Sequence, residues 1–88
     1  MDVFYESSFA KDLKRIKDKH LLKRVQNFIE EVKAANALAD VKNLKKLQGY
    51  DTFYRFRLGD YRIGIEVEDK TVIFVRVLHR KDIYRRFP

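Results

Sequence analysis

Three arginines, Arg55, Arg57 and Arg62, stand in a stretch of alternating character, and His79, Arg80, Lys81 and Tyr84 follow further along the chain. In an extended chain successive side chains point to opposite faces. From Tyr54 to Leu58, and again from Tyr61 to Val67, the apolar residues share one face, and the arginines fall on the other. A guanidinium is a planar fork that matches two phosphate oxygens and keeps its charge throughout the physiological range. Several together can hold a phosphodiester and neutralise the extra negative charge of its transition state. Cleavage of RNA then needs its own 2′-hydroxyl as nucleophile, one group to take that proton and another to protonate the leaving 5′-oxygen. His79 and Tyr84 are candidates for the proton transfers, and the scheme calls for no metal or other cofactor.

Each of these residues also has a plainer use. An arginine on the solvent face of a strand can serve as a solubilising or edge-protecting charge. Glu66, at the same parity as Arg62, offers it an ion pair. His79 after an apolar run suits a helix cap or a buried hydrogen bond as well as a catalytic role. Tyr84 and Phe87 suit hydrophobic lids. The charge run from Lys11 to Arg24, Asp12 included, reads as the wet side of a helix pair.

The elements that must position these groups follow from periodicity. Val3-Phe4-Tyr5 reads as a first strand, and Ser7 or Ser8 can cap a helix after it. Phe9, Leu13 and Ile16 form one apolar stripe of that helix. Beyond Asp18-Lys19-His20, the residues Leu21, Leu22, Val25, Phe28, Ile29 and Val32 repeat with helical spacing towards Ala37. So short an interruption predicts a helix hairpin packed on a common sheet. Leu38 to Gly49 reads as loop. Strands are predicted over 52–58, 61–67 and 71–78, with turns at Gly59-Asp60 and Glu68-Asp69-Lys70, and a short helical turn ends the chain. The fold class is α+β: an N-terminal strand, a two-helix hairpin, then a three-stranded antiparallel meander. Two helices would cover one face of a four-stranded sheet, leaving the other face partly bare and cationic.

Composition bounds the reading. Eighty-eight residues suffice for one small domain, 1–88, and are too few for two. Twenty Lys and Arg against thirteen Asp and Glu give a net charge of +7, which favours a polyanionic partner, nucleic acid first. There is no cysteine, so no disulfide framework and no thiolate chemistry are available, which suits a reducing cytoplasm. No apolar run approaches the roughly 18–20 residues that span a bilayer. Phosphate loops of the Gly-Lys-Ser/Thr type and Gly-x-Ser-x-Gly elbows are absent, and His20 and His79 stand too far apart in sequence to suggest a metal site.

The runs Lys46-Leu47-Gln48-Gly49, Tyr54-Arg55-Phe56-Arg57-Leu58-Gly59-Asp60-Tyr61-Arg62-Ile63 and Val77-Leu78-His79-Arg80-Lys81-Asp82-Ile83-Tyr84 together resemble the RelE/ParE superfamily of toxins. The resemblance implies the small RNase-like fold read above. It also implies the toxin of a type II toxin-antitoxin pair, held in check by a small acidic, RelB-like antitoxin. RelE-like members are metal-independent endoribonucleases that cut mRNA on the ribosome and so inhibit translation in the cytoplasm. ParE-like members keep the scaffold, lack nuclease activity and inhibit gyrase, which is the alternative. Carried over by position, the catalytic set is Arg62, His79, Arg80 and Tyr84, with Arg62 on the phosphate, and the RNA-binding set is Lys46, Arg55, Arg57, Lys81 and Arg85. Arg80 and Lys81 fit the second essential cation equally well.

Overall fold

Alternation and helical period translate into elements with few surprises in the computed structural model, which describes residues 1–88. Their order is β1 (Asp2–Tyr5), α1 (Ser7–Arg15), α2 (Lys19–Ala34), β2 (Leu44–Lys46), β3 (Phe53–Leu58), β4 (Tyr61–Glu68), β5 (Thr71–His79) and α3 (Arg80–Arg86). Asp18 caps α2 through its carboxylate, which accepts from the backbone N–H groups of His20 and Leu21. Between β3 and β4 the chain turns in two residues, and Gly59 takes the positive φ of 61° that such a turn needs at its first position.

The strands form one sheet in the order β1-β5-β4-β3-β2. β2 to β5 are antiparallel neighbours, whereas β1 lies parallel to β5, with Asp2 beside Thr71 and Tyr5 beside Phe74. Helices α1 and α2 cover one face. Phe9, Ile16, Leu21, Val25, Phe28 and Val32 pack there against the strand residues Phe56, Leu58, Ile63, Ile65, Val67, Val72, Phe74 and Val77. Phe28 stacks on Phe56 with ring centroids 3.7 Å apart.

Three features depart from the sequence reading. The segment expected to be loop contains a 3₁₀ turn at Leu38–Asp40 and the strand β2, so the sheet has five strands rather than four. A strand of three residues is too short to show a period, and only pairing with β3 defines it. Second, Asp12 is buried, 3% exposed, instead of lying on the wet side of α1. Its carboxylate receives Nε and a terminal nitrogen of Arg76 at 2.8 and 2.9 Å and the backbone N–H of Val77 at 3.0 Å. Third, β5 is bulged: Ile65 pairs with Phe74 and Gly64 with Arg76, so Val75 is an extra residue. Ser8 donates its hydroxyl to the Val75 carbonyl at 2.6 Å, so α1 grips the bulge at two points.

On the far face of the sheet a smaller apolar cluster, Leu78, Ile83 and Phe87, fixes α3, with Leu47, Phe53 and Val75 around it. That face is therefore shared between α3 and the arginines of β3 and β4.

Candidate nucleic-acid cleavage site

Register decides which cations meet. Arg57 and Arg62 are directly opposite one another across β3 and β4, Arg55 is opposite Gly64, and Lys45 of β2 is opposite Arg55. All four point to the face the helix pair leaves open. They line a concavity of about 650 Å³ together with Asn43, Leu44, Gly59 and Tyr84, and no acidic residue lines it.

Like charges in directly opposed positions repel, and nothing in the chain neutralises these. None of Lys45, Arg55, Arg57 and Arg62 takes part in a salt bridge; the ion pairs present are Lys33–Glu30, Lys46–Asp51, Arg76–Asp12 and Arg85–Asp82. Glu66 does not pair with Arg62. It accepts from the Thr52 hydroxyl at 3.4 Å, while Arg62 donates to the carbonyls of Gly59 and Tyr61 at 2.8 and 2.9 Å. Nε of Arg55 is buried and has no hydrogen-bond partner, an unusual state for a charged donor.

Tyr84 reaches this group from α3. The residue is 67% exposed, and the guanidinium carbon of Arg55 lies 4.7 Å from the ring centroid. The neighbouring Arg55 guanidinium, with smaller help from the charges of Arg62 and Lys45, holds the phenol below its ordinary value of 10.0. The direction favours phenolate, the form able to accept a proton. Absorbance titration near 295 nm, taken as the difference from Tyr84→Phe, is expected to show Tyr84 ionising below an ordinary tyrosine, and Arg55→Ala to return it to about 10. The sign for stability follows: an anion favoured in the folded state stabilises the fold above the unfolded pKa, and that gain is lost as pH falls through the folded one.

Of the residues read from the sequence, the structure brings together Arg55, Arg57, Arg62 and Tyr84. Lys46, Arg80, Lys81 and Arg85 are exposed and do not line the concavity. Lys46 lies 4.0 Å from Asp51, Arg85 lies 3.6 Å from Asp82, and the backbone N–H of Arg80 donates to the Asp60 carbonyl. His79 does not join Arg62 and Tyr84. It sits opposite Tyr61, on the helix side of the sheet, beside Asp12, Arg15, Ile16 and Asp82 in a separate cavity of about 280 Å³. Its Nδ1 caps α3 by accepting from the Lys81 N–H at 3.2 Å. The bulge at Val75 is the reason: without that extra residue the alternation of β5 would turn His79 to the arginine face and Leu78 into the main core. Lys45 and Asn43 were not legible as site residues, because the register that selects Lys45 over Lys46 belongs to β2.

No group of three or more His, Cys, Asp or Glu residues is disposed to hold a metal ion, and no helix is long and apolar enough to cross a membrane. The family model described as ParE toxin of type II toxin-antitoxin system, parDE, matches residues 3–84. Toxin RelE3 of Methanocaldococcus jannaschii is 51% identical over 89 residues, covering 100% of each chain. Among solved structures, the RelB-RelE antitoxin-toxin complex from Methanococcus jannaschii aligns with a TM-score of 0.82 at 48% identity, over 97% of this chain and 99% of that one. The RelE-RelB complex from Pyrococcus horikoshii OT3 aligns with a TM-score of 0.72 at 25% identity, over 90% and 93%. The family match over residues 3–84, with 51% identity to a RelE toxin along the full length, places this chain in the RelE/ParE superfamily of toxins of type II toxin-antitoxin systems.

Proposed function

We propose that this toxin is a RelE-like endoribonuclease that cleaves mRNA on the ribosome and so inhibits translation. The observation that carries the reading is the acid-free concavity: four cations converge there with no internal counter-charge, one of them with a buried, unpartnered Nε. A phosphodiester supplies what they lack. Arg57 and Arg62, facing each other across the hairpin, hold the non-bridging oxygens, and Arg55 holds both the phosphate and the Tyr84 phenol. Tyr84 takes the proton of the 2′-hydroxyl as that oxygen forms its bond to phosphorus. The bond from phosphorus to the 5′-oxygen breaks, leaving a 2′,3′-cyclic phosphate, and the departing oxygen takes its proton from water, which the open concavity admits. The chemistry thus draws on arginine charge rather than a metal ion. Lys46, Arg80, Lys81 and Arg85 extend the positive surface along the RNA, and His79 shapes the start of α3 instead of moving protons.

The partner that restrains the toxin is a cognate acidic antitoxin of the RelB kind. The net charge of +7 and the likeness to RelE chains solved with RelB both support this. Induced expression in the cytoplasm with mapping of transcript ends by primer extension is expected to reveal new breaks within translated mRNA, prevented by co-expression of the antitoxin. Intact transcripts alongside inhibited DNA supercoiling by gyrase would instead point to the non-nuclease branch of the superfamily.

A further inference from the structure

Tyr84 is exposed on a short helix, yet it must meet Arg55 at a fixed place to act on a proton. A helix of seven residues cannot hold itself in place, so something in the packing of α3 has to set that position. The anchors are Ile83, fully buried, and Phe87, 5% exposed, on either side of Tyr84 in the chain.

Phe87 has an unusual seat. A Cβ at Gly64 would lie 2.7–2.8 Å from three carbons of the Phe87 ring, closer than such contacts allow. The ring therefore rests directly on the backbone of β4, with Phe53 edge-on to it at 5.5 Å between centroids. Gly64 and Arg55 are directly opposed across β3 and β4. Phe87 thus rests on one member of a cross-strand pair while Tyr84 meets the side chain of the other. The backbone N–H of Phe87 closes the helix onto the Ile83 carbonyl at 2.9 Å, tying the two anchors together.

We propose that Phe87, seated on Gly64, is the positioning residue for Tyr84: the missing side chain at Gly64 sets the depth and angle at which α3 lies on the sheet, and so brings the phenol to Arg55. Gly64 is then required for a contact in the site next door, besides its place in the strand. The role of Tyr84 in cleavage rests on the function proposed above, but its placement does not, and the two are tested separately.

The test uses Phe87→Ala, Phe87→Leu and Gly64→Ala in the full chain, each with and without Tyr84→Phe. Phe87 belongs to the three-residue cluster under α3, apart from the fifteen-residue main core, so circular dichroism should show the sheet and helix pair retained. In Phe87→Ala the Tyr84 phenol, read as the absorbance difference from the matching Tyr84→Phe protein, is expected to titrate near the ordinary value of about 10. Phe87→Leu should keep most of the wild-type titration. Gly64→Ala retains every anchor and displaces the ring from beneath, so it should move the titration as Phe87→Ala does, even if Phe87→Ala proves too unstable to measure. Cleavage should fall roughly tenfold in Phe87→Ala, with no further fall when Tyr84 is already phenylalanine. An unchanged Tyr84 titration in folded Gly64→Ala or Phe87→Ala would overturn the assignment, as would an equal loss of cleavage in the Tyr84→Phe background. The titration decides the placement whether or not the wild-type protein cleaves RNA.

Discussion

Arg62→Ala is expected to lower single-turnover cleavage of mRNA by about 10²–10³-fold, the range seen when one preorganised donor to a developing negative charge is removed. Growth arrest on induction should disappear with it. The fold should survive. Arg62 donates only to the carbonyls of Gly59 and Tyr61 in the adjoining turn, and the Gly59 contact lies at an exposed position where water can replace it. Loss of Arg62 also relieves the repulsion from Arg57 directly opposite, so the melting temperature should hold or rise. Arg62→Lys keeps the charge and loses the planar fork, and is expected to recover only part of the activity. A folded Arg62→Ala protein that still arrests growth would remove the central cation from the mechanism.

Asp12→Ala is expected to have the largest effect on stability. Its carboxylate is buried and carries three hydrogen bonds, two from Arg76 and one from the Val77 backbone. Arg76 is itself only 19% exposed, so removing its partner strands a charge with little access to water. Breaking a buried ion pair from one side typically costs about 3–5 kcal/mol, a large share of the roughly 5–15 kcal/mol that holds a small domain together. At about 4–8 °C per kcal/mol for a domain of this size, the melting temperature should fall by more than about 10 °C. Asp12→Leu combined with Arg76→Met, which removes both charges, should be much milder. The location matters as well as the energy, since Asp12 and Ser8 hold the bulge that orients the end of β5 and thus α3. Thermal melts of the two variants side by side separate a stranded charge from a simple loss of packing.

The arginine face was legible because β3 and β4 are amphipathic: Tyr54, Phe56 and Leu58 on one strand and Ile63, Ile65 and Val67 on the other define a buried face, and Arg55, Arg57 and Arg62 can only take the opposite one. β5 offered no such guide. It is apolar on both faces, so the bulge at Val75 leaves no mark in its pattern, and nothing local shows that His79 turns to the helix side and caps α3. Asp12 looked solvated because its partner lies sixty-four residues away in the sequence. That Lys45 lines the concavity was not legible, as a three-residue strand shows its register only through its neighbour. The short second strand, the buried Asp12 and the bulge all depend on long-range pairing, whereas the amphipathic strands and helices follow from local period.

The parallel contact between the first and fifth strands sets a timetable for manufacture. Asp2 has to wait for Thr71 before its strand finds a neighbour, and at about 5–20 residues per second the delay is roughly 3–14 s. Until then the sheet lacks an inner member, the bulge that sends α3 towards the arginines does not exist, and Tyr84 has nowhere to dock. A chain that stops short of the fifth strand cannot bring Tyr84 to Arg55. The concavity is therefore completed only late in synthesis, once the last strand and the C-terminal helix have been made.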